Sequence, residues 1–114
     1  MTMTAADIDG VTYAVGSVML PDAETATSAI QAMKTALVSN MQGVVRREKT
    51  GDDAVGKYIE IEALSKSPNP TQRLLIAHFY AHKQYAYQVI VSGPVKKVSP
   101  DQVELFMTSF KADG

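Results

Sequence analysis

The segment RLLIAHFYAHKQYAYQVIVSG, residues 73–93, reads as two adjacent antiparallel strands joined by a turn at His82, Lys83 and Gln84. Its first strand is apolar on both alternating sets: Leu75, Ala77 and Phe79 on one face, Leu74, Ile76 and Tyr80 on the other. Such a strand belongs in the middle of a sheet, covered on both sides. After a short link the chain continues SPDQVELFMTSF, residues 99–110, which carries the marks of a helix start. Ser99 stands as N-cap, Pro100 at the first helical position, and Gln102 completes a capping box. Val98 and Val103 are spaced to staple that cap. Val103, Phe106, Met107 and Phe110 then recur as a buried stripe.

Upstream, GKYIEIEAL at residues 56–64 sets Ile59, Ile61 and Ala63 against Tyr58, Glu60 and Glu62, a strand with one buried and one wet face. Residues 44–49 form a shorter strand ended by a turn at 50–53, and residues 65–70 read as a loop. Between Ala23 and Met41, the positions of Ala26, Ile30, Met33, Leu37 and Met41 mark an amphipathic helix. Asp22 caps it, and Glu24 suits the positive end of its dipole. VTYAVGSVML, residues 11–20, is a β-branched run and a strand. Residues 1–10 are small and polar and are expected to be frayed, leaving 11–114 as a single domain. The predicted order is β-α-β-β-β-β-α. It describes an α+β protein, an α/β/α sandwich with a mostly antiparallel five-stranded sheet and a helix on each face.

Composition limits the function. The 114 residues are 46% hydrophobic and 20% charged, with 11 basic and 12 acidic side chains and a net charge of −1. Neither sign forms a block, which argues against nucleic acid or an anionic membrane as partner, since both need a concentrated basic field. There is no cysteine, so disulfides, thiolate catalysis and cysteine-rich zinc sites are ruled out. MTMTAADIDG lacks the basic start and apolar core of a signal peptide, and the chain as written is expected to be soluble and cytoplasmic.

The residues able to do chemistry are few. His78 and His82 are the only histidines. On one strand face they stand about 13 Å apart, too far to hold one metal together, so no metal or cofactor is expected. One of them can meet Glu60 or Glu62 from the neighbouring strand. Those two glutamates point the same way, about 6.7 Å apart along the strand. The spacing suits a carboxylate pair, but its commoner reason is a solvated face set against Arg46, Arg73 or Lys57, and that reading is preferred. Tyr58, Tyr80, Tyr85 and Tyr87 crowd the hairpin and its neighbour, where tyrosines either line a ligand pocket or rim a small core. No nucleophile elbow and no Gly-rich phosphate loop is present.

The run from Gly56 to Lys111 resembles small bacterial proteins of unassigned function with a PsbP-like fold, the α/β/α sandwich shared with the photosystem extrinsic protein and a Ran-binding transport factor. The resemblance is carried by GKYIEIEAL, by Arg73 before an apolar strand, by YAYQVIVSGP and by a helix ending FMTSFK. It implies the sandwich and brings no catalytic residue, because Arg73, Tyr87, Gly93, Pro94, Phe106, Ser109 and Phe110 are positions of packing, turn and helix end. Such proteins often carry an export signal, which this chain does not show.

Three functions are compatible with these features. The first is a non-catalytic interaction or scaffold protein binding through a sheet edge or face. The second is a small-molecule module with a pocket lined by Tyr58, Tyr80, Tyr85 and Tyr87. The third is a hydrolytic enzyme using Glu60, Glu62 and His78. The first is preferred. Residues 11–20 carry no charge and no proline, so this strand is either central or paired with another chain. A two-fold homodimer is the expected form, with another protein or a small molecule as the other candidate partners.

Overall fold

Asp9 and Gly10 make the first tight turn, with φ of 54° and 83°. Positive φ at both central residues is what a two-residue hairpin requires to match the twist of its strands. In the computed structural model, which describes residues 2–52, 56–65 and 72–109, this turn joins β1 (Thr2–Ile8) to β2 (Val11–Met19). Ile8 pairs with Val11 and Thr2 with Ser17. The expectation of a frayed amino terminus is thus corrected. TMTAADI shows no apolar alternation because all seven of its residues are exposed. Its pairing with β2 is made by the backbone, which leaves no trace in side-chain pattern.

The remaining elements are α1 (Ala23–Asn40), β3 (Gly43–Asp52), β4 (Lys57–Ser65), β5 (Arg73–His82), β6 (Tyr85–Pro94) and α2 (Pro100–Ser109). They build one sheet in the order β1-β2-β6-β5-β4-β3, with every neighbouring pair antiparallel. The sheet has six strands, not five. β5 and β6 lie in its middle, as their two apolar faces require. β2 is also internal, between β1 and β6, so its edges are closed within the chain and offer no seam for a dimer. Residues 50–52, expected as a turn, continue β3, and the rest of that expected turn lies outside the described residues.

Each face of the sheet carries one helix. Thr25 N donates to Asp22 Oδ1 at 2.7 Å, the cap expected for α1. Ala26 and Ile30 of α1 are buried against Ile59, Ile61, Leu75 and Phe79, with Met33 and Leu37 packed beside them. On the opposite face Val98 and Val103 join Val11 and Val91, flanked by Leu74, Ile76, Phe106 and Met107. Val103 N donates to Ser99 O at 3.0 Å, which places Ser99 at the N-cap position, and Val98 and Val103 share one cluster as the staple predicts. Phe106 meets Tyr13 edge-on at 5.2 Å between ring centres. Phe110 lies outside the described residues. No described helix is long and apolar enough to cross a membrane.

Candidate functional site

The antiparallel register sorts the side chains of the α2 face into rows across the sheet. One row runs Gly51, Tyr58, Tyr80, Tyr87, Ser17. The next runs Lys49, Glu60, His78, Val89, Val15, Thr4, and the one after it Arg47, Glu62, Ile76, Val91, Tyr13, Ala6. The seven residues singled out from the sequence therefore share one face, because the β4–β5 and β5–β6 pairings keep Tyr58, Glu60, Glu62, His78, Tyr80, Tyr85 and Tyr87 in phase.

The tyrosines stack beside one another. Tyr58 and Tyr80 stand 6.1 Å apart between ring centres, as do Tyr85 and Tyr87, and His78 lies 6.4 Å from Tyr80. Gly51 explains how Tyr58 lies at the sheet margin: a Cβ there would come within 2.6 Å of its hydroxyl. The cavities on either side of α2 are not lined by these four tyrosines.

Glu60, Glu62 and His78 border a cleft of about 690 Å³, with Arg46, Arg47 and Lys49 from β3 on its other wall. His78 Nε2 lies 3.7 Å from Glu60 Oε1, so a histidine does meet a glutamate of the neighbouring strand. Glu62 Oε2 lies 3.9 Å from both Arg46 Nη1 and Arg47 Nε. Of the three acid–base candidates, Glu60 and His78 stand at ion-pair distance and not at the ~2.6–3.2 Å of a shared hydrogen bond, while Glu62 turns to the two arginines. Burial holds the His78 imidazole below its ordinary range, and the charge of Glu60 opposes that shift. His82 shares the face but stands four residues further along β5, about 13 Å away. Among the described residues no three or more His, Asp or Glu side chains are grouped to hold a metal ion.

Sequence reasoning missed a second site on the same face. Between β1, β2 and α2 lies a groove of about 420 Å³ lined by Ala6, Ile8, Tyr13, Val15, Leu105 and Phe106. Leu105 is 70% exposed and Ile8 58% exposed. The signal was present at Leu105, an apolar residue off the stripe made by Val103, Phe106 and Met107. It meant nothing until β1 was placed beside it.

No family model matches the chain, and no curated protein does. Among solved structures the chain is similar to PA94 from Pseudomonas aeruginosa, a protein of unknown function provisionally described as a regulator. The two share 7% sequence identity with a TM-score of 0.66, over 99% of this chain and 83% of that one. The likeness is one of fold.

Proposed function

We propose that the protein is a non-catalytic interaction module whose working surface is the β1 edge together with the groove between β1, β2 and α2. The observation that carries this reading is the pairing of an open strand edge with exposed apolar side chains, Ile8 and Leu105, on one small surface. A strand added to β1 gains main-chain hydrogen bonds, while its side chains enter the groove for specificity. The PsbP-like resemblance supports the sandwich as scaffold and adds no catalytic group. The Glu60–His78 and Glu62–arginine contacts suit a solvated, ion-paired face. Backbone hydrogen exchange tests the reading. The amides of Met3, Ala5 and Asp7 should exchange fast in dilute protein and slow when extended peptides rich in small and apolar residues are added. Hydrolytic activity lost on Glu60→Gln, with β1 amides indifferent to any peptide, would replace this reading with the enzymatic one.

A further inference from the structure

The two edges of the sheet are built differently. β3, at one edge, presents Arg46, Arg47, Glu48 and Lys49, all exposed, and its pairing with β4 is interrupted by an irregularity between Val45 and Arg47. Charges and a bulge are the usual means of keeping a strand edge from pairing. β1, at the other edge, pairs without a bulge and carries a single charge. Asp7 is its only charged residue, and the Asp7 carboxylate already accepts a hydrogen bond from the Thr12 hydroxyl.

The hairpin turn also decides which backbone groups the β1 edge offers. In a two-residue hairpin the residues flanking the turn form a hydrogen-bonded pair, here Ile8 and Val11. Hydrogen-bonded and non-hydrogen-bonded pairs then alternate, so Ala6, Thr4 and Thr2 turn their backbone groups toward β2. Asp7, Ala5 and Met3 turn theirs outward. The same parity sends the even-numbered residues of β2 to β6, and the bond from Leu20 N to Gln84 O, at 2.7 Å, continues it.

From this we infer that β1 pairs with β1 of a second copy of the chain across a two-fold axis at Ala5, joining two sheets into one. The inference rests on the reading of β1 as a docking edge. An axis at Ala5 sets Ala5 against Ala5 of the partner subunit and Met3 against the partner's Asp7. The outward groups of both strands are then satisfied by about six hydrogen bonds. On the α2 face, Thr4 meets the partner's Ala6 and Ile8 meets the partner's Thr2, so every contact is small or apolar. The two Asp7 carboxylates are four residues out of register, about 13 Å apart, and are screened from each other. Across the axis the two grooves become continuous, with Leu105 of each copy at the wall nearest the other. The exposed Ile8 and Leu105 of each copy thereby lie beside the seam between the two grooves.

Sedimentation equilibrium on the whole protein, over a wide concentration range, tests the inference. The expected result is a reversible monomer–dimer equilibrium. Ala5→Pro removes an outward N–H without touching the β1–β2 ladder and should weaken dimerisation at least about tenfold, since the symmetric interface loses two bonds. Leu105→Lys, on an exposed helix position, should weaken it in the same direction while leaving the far-ultraviolet spectrum unchanged. Arg47→Ala, on the β3 edge, should leave it unaltered. A monomer at high micromolar concentration overturns the dimer, as does association weakened by Arg47→Ala and insensitive to both Ala5→Pro and Leu105→Lys. If the monomer result comes with peptide protection of the Met3, Ala5 and Asp7 amides, the docking edge stands and only its occupant changes.

Discussion

His78 is the residue whose surroundings say most about chemistry on this face. Burial disfavours its charged form, and Glu60, at 3.7 Å, favours it; burial is the larger effect. The sign of the consequence is definite. The unfolded chain takes up a proton near the ordinary value of 6.5, and the folded one only at lower pH. Between those two values the unfolded state binds more protons, so stability falls as pH drops below about 6.5 and levels off beneath the folded value. Denaturant melts from neutral pH to pH 5 should show this loss in the wild type and less of it in His78→Gln. Core and surface residues separate as cleanly. Phe79 is fully buried, and Phe79→Ala should cost about 3–5 kcal/mol. Phe106 is half-buried against Tyr13, and Phe106→Ala should cost about 2 kcal/mol, below the range for a core phenylalanine.

At the scale of elements, helix starts and strand entries are where single changes act. Ser99, whose carbonyl accepts from Val103 N, holds the N-cap position of α2, and Ser99→Ala should cost about 1 kcal/mol in a denaturant melt, the usual loss at such a position. Asp22, whose carboxyl is held below its ordinary range by hydrogen bonds from Thr25, adds stability to α1 that disappears as pH falls through the acid range. The entry to β4 is more demanding. Gly56 has φ of 147°, and a Cβ there would stand 2.1 Å from Ala81 O on β5. Gly56→Ala should cost roughly 2–4 kcal/mol from backbone strain and displacement of the β5 end, measurable as a lowered midpoint of unfolding. β1 is the element that pattern could not reveal. Its residues bury nothing within the chain, so no periodicity announces it, whereas α1, β5, β6 and α2 bury defined faces and were legible from their spacing.

For the whole molecule, the division between stability and binding follows the two faces. The α1 face holds the larger buried cluster, centred on Phe79, Ile59, Ile61 and Ile30. The α2 face has a smaller one, and its helix leaves cavities on both sides. Leu105 belongs to neither cluster, and Leu105→Lys should change the free energy of unfolding by less than about 0.5 kcal/mol under conditions where the chain is monomeric. A larger loss would mean that its exposed side chain supports the fold and not an interface.

The sequence by itself determined the helices, the central hairpin and the alternation of side chains within β4 and β5. These follow from local periods of 2 and 3.6 residues and from caps a few residues long. Within β4 it set Tyr58, Glu60 and Glu62 on one alternating side, and the β4–β5 and β5–β6 registers then brought His78 and the other tyrosines to the same face. Tertiary structure alone decided the sixth strand, the internal position of β2 and the groove at Leu105. Those depend on which backbone edges meet, and an edge is made of N–H and C=O groups that every residue but proline carries alike.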